Sequence, residues 1–280
     1  MSTQITVAFV QQYKSNVLLL SQQKGSRLRG SVMTEMVTGK TAYFERIGEV
    51  AMQLSTSRHD DTPQIDTPHS RRKVDLGTYR WADLIDNADK VRMLIDPQSP
   101  YATLGTYAAG RTMDSLVIAA ANGTAYSGET GGSTVALPSA QKVAAASAGL
   151  TVAKLISAKQ IQDEGDIDPD TPRVIAVRPD GISDLLGTTQ VTSADFNTVK
   201  ALASGQVDTF MGFKFIVTNL APSGKALAWS KNSMALAIGA EPVVRISERA
   251  DKNYSTQVFI EMTLGATRVE DEGVVEISYV

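Results

Sequence analysis

Two strand-like segments, TAYFERIGEVAM beginning at Thr41 and KVDLGTYRWADLI beginning at Lys73, are separated by the polar, proline-containing stretch STSRHDDTPQIDTPHSRR. Paired with one another they form a long hairpin, from about Thr41 to Leu84, whose connection far exceeds the ~2–5 residues usual for β-hairpins. A compact domain seldom holds such a loop, so the sequence predicts a projecting element whose apolar residues are satisfied by a neighbour. Arg71, Arg72 and Lys73 stand together at its base, opposite the strand carrying Glu45 and Glu49. Adjacent cations in a chain of balanced charge point to ion pairs with an acidic neighbour. Each such pair is worth only about 0–1 kcal/mol when exposed, so any effect would come from repetition.

The 280 residues carry 27 Lys and Arg against 30 Asp and Glu, with 42% hydrophobic residues. That size buries a sizeable core. The charge balance lacks the positive field that broad nucleic-acid binding needs, which disfavours duplex reading. Cysteine is absent, which removes disulfides, thiolate chemistry and Cys-ligated zinc. No apolar run approaches the roughly 18 residues of a membrane span. The opening MSTQITVAFVQQYKSNVLLL has no basic leader ahead of a small-residue cleavage site. The expectation is a chain that is neither membrane-inserted nor exported.

Val7, Val10, Tyr13, Val17 and Leu20 fall close to helical spacing and precede a basic, Gly-punctuated stretch, QQKGSRLRG. Ordering backbone costs about 1–2 kcal/mol per residue, more than the apolar side chains of this segment return by burial. It reads as an arm, labile in a free subunit over residues 1 to about 30, that orders with Phe9, Val17 and Leu20 against a neighbour or the body of the chain. Further on, Asp86 or Asn87 can cap a short helix through Ile95. Ser99-Pro100 and Asn122-Gly123 then bracket a longer helix, roughly 35 Å at 1.5 Å per residue. Tyr101, Leu104, Ala108, Leu116, Val117 and Ala120 share one side of it.

After a small-residue loop at 123–141, Val152–Asp163 reads as a helix, PRVIAVRP as a buried strand and RPDGISDLLG as a turn and short helix. GQVDTFMGFKFIVTNLAP reads as one buried strand, with Met211, Phe213, Phe215 and Val217 on one face and Phe210, Gly212, Lys214 and Ile216 on the other. Val244/Ile246, Val258/Ile260/Met262/Leu264 and Val275/Ile277/Tyr279 keep period-two faces in strands expected to pack beneath the long helix.

The patterns that imitate chemistry fail on spacing. Gly39-Lys40-Thr41 ends like a phosphate loop, but Thr34 stands where its first glycine belongs and an extended segment follows. His59, Asp60, Asp61, Asp66 and His69 imitate a metal cluster, yet these two histidines are the only ones in the chain and sit in a polar loop. Asp166, Asp168 and Asp170 copy the start of a calcium loop whose turn glycine is replaced by Thr171 and whose bidentate glutamate is replaced by Val177. The run is expected to bend the chain instead. Ser183 lacks the second glycine of a nucleophile elbow, and no histidine follows it. Lys24, Arg27 and Arg29 are too few to hold nucleic acid except in many copies. No catalytic, cofactor-binding or metal-binding residue is expected.

Taken in order, these parts resemble the major capsid proteins of tailed bacteriophages over nearly the whole chain. FVQQYKSNVLLLSQQKGSRLRGSV resembles the family's N-terminal arm, GKTAYFERIGEVAM through KVDLGTYRWADLI its extended loop, and Ser99 to Asn122 its spine helix. PRVIAVRPDGISDLL and GQVDTFMGFKFIVTNLAPSGKALAWSKNSMALAI resemble the axial domain and its return to the peripheral domain. The resemblance implies an α+β capsid fold divided as arm 1–38, extended loop 39–84, peripheral domain 85–130, axial domain 131–235 and peripheral strands 236–280. It implies self-assembly as pentamers and hexamers into an icosahedral shell around double-stranded DNA that the chain contacts weakly. It also implies a portal protein and a separate scaffold protein or none, assembly in the host bacterial cytoplasm, and no membrane. No residue is assigned to covalent crosslinking. Phe9, Val17, Leu20, Glu45, Glu49, Arg71, Arg72 and Lys73 are the expected inter-subunit residues. An encapsulin-like compartment of the same fold and, more distantly, a soluble α/β enzyme are the alternatives.

Overall fold

The computed structural model describes residues 21–54, 57, 58, 61, 62, 64–86, 98–187 and 209–280. The first half of the chain gives β1 (Met33–Met36), β2 (Thr41–Ile47), β3 (His69–Asp75), β4 (Gly77–Ile85), helix α1 (Gln98–Asn122), β5 (Ala125–Ser127) and β6 (Ser133–Val135). Next come β7 (Lys142–Val143), α2 (Val152–Glu164), β8 (Arg173–Val177), α3 (Pro179–Gly187), β9 (Thr209–Phe210) and β10 (Phe213–Val217). The last part holds β11 (Lys225–Ser230), β12 (Met234–Arg249), β13 (Ser255–Arg268) and β14 (Val274–Ser278). These strands form a six-stranded sheet ordered β7-β14-β11-β8-β10-β9 and two four-stranded sheets, β2-β3-β5-β6 and β1-β12-β13-β4. The mixture of helices and sheets is α+β.

The chain divides into two compact units. One comprises residues 78–112 and 240–263 with the described residues 21–26, the other residues 27–77, 113–239 and 264–280. In the larger, every residue of β8 is buried, as the apolar run Val174–Val177 requires of a strand covered on both faces. It runs parallel to β10 and antiparallel to β11. Leu155 and Ala158 of α2, Ile182 and Leu185 of α3, and Phe213 and Phe215 of β10 close the core around it. Thr151 caps α2 by accepting from the Lys154 backbone N–H. Asp166 then turns the chain in the left-handed region at φ 52°, and the Asp168 carboxylate accepts the Asp170 N–H at 3.0 Å. The acidic run bends the backbone between helix and strand, as its residue types favour.

Two sequence expectations change here. The stretch around Phe210–Val217 is a tight hairpin rather than one strand: Met211 and Gly212 both have positive φ, and Phe210 pairs with Phe213 across the turn. That is the geometry that suits the twist of two-residue hairpins, and a methionine in its first position hides it from sequence reading. Val275, Ile277 and Tyr279 pack into the core of the six-stranded sheet, where β14 pairs with β11, instead of lying beneath the long helix.

In the smaller unit, α1 contributes its N-terminal part. The whole helix has 25 residues, about 38 Å at 1.5 Å per residue. Its buried line runs through Gly105, Ala109, Met113, Val117 and Ala121, one residue over from the Leu104/Ala108/Leu116/Ala120 side expected from side-chain size. The reason is close packing: a Cβ on Gly105 would lie 2.3 Å from Ile260 Cδ1 and 2.7 Å from Trp81 Cε3. Small residues let β13 and β4 side chains seat directly on the helix backbone. Ile260 and Met262 of β13 are buried as expected, whereas Val244 and Ile246 of β12 are exposed.

Candidate assembly surfaces

β2 and β3 pair in unbroken register from Thr41 opposite Asp75 to Ile47 opposite His69. Alternation sends Phe44, Arg72 and Val74 inward, and Phe44 and Val74 pack with Ala235, Ala237 and Val269. The outer face carries Tyr43, Glu45 and Ile47 against Lys73, Arg71 and His69. On it Arg71 pairs with Glu45 at 3.0 Å and lies 5.6 Å from the centre of the Tyr43 ring. At the end of this ladder and past it, apolar side chains stand in solvent: Ile47 is 70% exposed, Met52 100% and Leu54 88%, with Val50 and Ile65 also exposed. Lone exposed apolar residues are ordinary, but several on one short segment make a candidate contact surface.

The expected inter-subunit residues fall in different places. Phe9, Val17 and Leu20 lie outside the described residues, as does His59. Glu45 and Arg71 are brought together as a cross-strand pair, and Lys73 pairs with Asp75 at 3.1 Å. Glu49 lies past the end of β2 and is exposed. Arg72 is the correction: it is 2% exposed and binds Asp271 at 2.6 Å inside its own chain, so it is no surface cation. Strand alternation turned it inward between two outward neighbours. His69 is likewise a strand residue and not part of the loop. The hairpin ends at Asp75, because β4 joins a different sheet.

The end of the expected arm packs against the body of the chain. The Asp114 carboxylate of α1 accepts the backbone N–H groups of Arg27 and Leu28 at 2.9 and 3.1 Å. Leu28 is fully buried, and Trp229 Nε1 donates to the Ser31 carbonyl at 3.0 Å. The chain is therefore seated from Arg27 onward.

Sequence reading missed the group at the hairpin root. Asp271 holds Arg72 on one oxygen and Arg268 Nε on the other, at 2.6 and 2.5 Å. Arg268 also donates to the carbonyls of Ala121 and Gly123 at the C-terminal end of α1 and to that of Val135 in β6, the end of a helix where a cation is favoured. Arg46 and Arg72 both donate to the Val269 carbonyl. Only the local Arg-Val-Glu-Asp spelling of 268–271 was available as a signal, and a sequence does not say that such charges are buried.

Elsewhere, Lys154 is buried and its Nζ donates to the carbonyls of Ala145, Ala148, Gly149 and Ser278 at 2.6 to 3.1 Å. Burial lowers its pKa and nearby Asp184 opposes the shift. A recess of about 400 Å³ lies between Lys159, Asp166, Pro169 and Gly212, but Arg173 in its lining is paired with Asp163 at 2.6 Å. Among the described residues no grouping of His, Asp and Glu is suited to a metal ion, and no helix is long and apolar enough to cross a membrane.

The sequence profile of phage capsid proteins matches residues 5–280. The chain belongs to the phage capsid protein family. The capsid structure of the cyanophage P-SCSP1u is similar to it at TM-score 0.78 and 16% identity, covering 100% of this chain and 95% of that one. The capsid of Ralstonia phage GP4 gives TM-score 0.76 at 13% identity over 97% and 96% of the two chains. Mycobacterium phage Che8 gives 0.73 at 14% over 96% and 97%. No curated protein matches the chain. This capsid protein is a structural, shell-forming component of the virion that associates with itself, not an enzyme.

Proposed function

We propose that this capsid protein assembles as pentamers and hexamers into an icosahedral shell enclosing double-stranded DNA, with the β2–β3 hairpin of each subunit lying against the next. The observation that carries the reading is the apolar series Ile47, Val50, Met52, Leu54 and Ile65, left in solvent on a segment whose base is rigidly paired. Such side chains are stabilised by about 25 cal/mol per Å² of apolar surface removed from water, and a shell multiplies a modest contact by its copy number. In this reading residues 1–38 act as the arm, 39–84 contain the extended loop, 85–130 and 236–280 contribute to a peripheral domain, and 131–235 to an axial domain. Glu45, Glu49, Arg71 and Lys73 contact neighbouring subunits, together with Phe9, Val17 and Leu20 of the arm. The DNA is contacted weakly, since the chain's charges nearly balance. A portal protein, with a separate scaffold protein or none, completes the partners, and assembly takes place in the host cytoplasm. Negative-stain imaging of the purified chain tests this: uniform closed particles are expected, and subunits that stay dispersed at every concentration would overturn it. Particles filled with protein cargo and free of nucleic acid would identify a compartment instead of a virion.

A further inference from the structure

The hairpin root is held by two unrelated constraints. The first is the shared carboxylate of Asp271, which ties Arg72 of β3 to Arg268, and through Arg268 to the last carbonyls of α1 and to β6. The second is steric: a Cβ on Gly265 of β13 would lie 2.5 Å from the Asp75 carbonyl oxygen and 2.9 Å from Val74 Cγ2, so β3 leaves the body directly over bare backbone. Beside the root, β3 is also paired with β5 at Arg72 and Lys73 and Tyr43 donates to the Thr130 carbonyl, while the described residues from 48 to 66 are exposed. The course of the described part of the hairpin is therefore set at its root, where Asp271 and Gly265 act.

We propose that Asp271, clamped between Arg72 and Arg268, is a positioning residue that sets the direction in which the hairpin leaves the subunit, and so decides whether it reaches its neighbour. The proposal rests on the shell reading above. Breaking one partner of a buried, bridged charge leaves the others uncompensated, and the loosened element is the one whose remaining contacts are weakest. The hairpin's inward apolar anchors, Phe44, Val74 and Ala42, belong to a small cluster with Ala235, Ala237 and Val269, while the six-stranded sheet has a larger core of its own.

Hydrogen exchange on the undocked full-length subunit, followed by an assembly assay, tests it. In Asp271→Asn the amides of β2 and β3 should exchange at least tenfold faster while those of β8 and β11 keep their protection, and closed shells should fall at least tenfold or become irregular. Gly265→Ala, which moves the same root without altering charge, should give the same pattern. Glu45→Gln, on the same hairpin outside the root, should leave exchange at β3 unchanged. If Asp271→Asn fails to fold, Arg72→Lys and Gly265→Ala decide the matter by the same readouts. Unchanged hairpin exchange in Asp271→Asn and Gly265→Ala, equal loosening of every sheet, or normal shells from a loosened hairpin would each overturn the proposal. Wild-type subunits that form no shell would overturn the shell reading instead, and the exchange pattern would still decide what Asp271 holds.

Discussion

Arg71 and Arg72 show how far neighbouring residues of one type can differ in meaning. Arg71 is a half-exposed cation paired across strands with Glu45, a contact worth about 0–1 kcal/mol. Arg72 is closed in on Asp271. Arg71→Glu should therefore shift the urea midpoint of the subunit little, whereas Arg72→Glu, which buries a carboxylate beside Asp271, should cost about 3–5 kcal/mol or prevent folding. Denaturation of the two variants side by side checks this. Tyr279 offers a separate test. Burial, then the nearby Asp180 charge and its hydrogen bond, push the phenol up to about 12. Because the folded pKa is raised, this group's contribution to stability is complete below the ordinary value of 10.0 and is lost as pH rises towards about 12. Titration of phenolate absorbance, compared with Tyr279→Phe, should find Tyr279 ionising late, and Asp180→Asn should bring it down.

At the scale of elements, the signals that held were those with a local cause. Ser99-Pro100 and Asn122-Gly123 bracketed α1 to within a residue of Gln98–Asn122, because caps are read by the backbone beside them. The apolar run of β8 and the helix of α2 were legible for the same reason. What failed depended on partners distant in sequence. The inward line of α1 includes Gly105, where Trp81 and Ile260 fill the space a side chain would take, and nothing near position 105 announces either of them. The β9–β10 turn was hidden because methionine rarely takes a left-handed position. Met211→Asn should accordingly stabilise the subunit by up to about 1 kcal/mol, read as a rise in Tm. The outline of the hairpin was visible in its polar interior, yet the Asp271 group at its root was not. Burial, not residue type, makes Asp271 a structural charge.

For the whole molecule, folding and assembly should be separable at the hairpin. The inward contacts of β2 and β3 end at Arg46, which donates to the Val269 carbonyl, and the described residues between 49 and 67 are exposed or half-buried, so they contribute surface rather than core. Replacing residues 49–67 with a short Gly-rich turn should leave a cooperatively folding subunit with Tm within a few degrees of the parent and abolish closed particles on a sucrose gradient. Particles at normal yield would show that another surface drives the shell.

The six-stranded sheet sets a timetable for this. β7, at Lys142–Val143, pairs with β14, whose partner residues are Glu276 and Ile277, and β14 lies between β7 and β11. At a synthesis rate of about 5–20 residues per second, β7 waits on the order of ten seconds for the strand that completes it. Until then β11 also lacks the neighbour on that side, and the core residues Val275 and Ile277 are missing from the layer under α2. A nascent chain thus withholds a finished subunit from its surroundings until residues near position 278 have emerged, so copies translated side by side meet as complete bodies rather than as half-made edges.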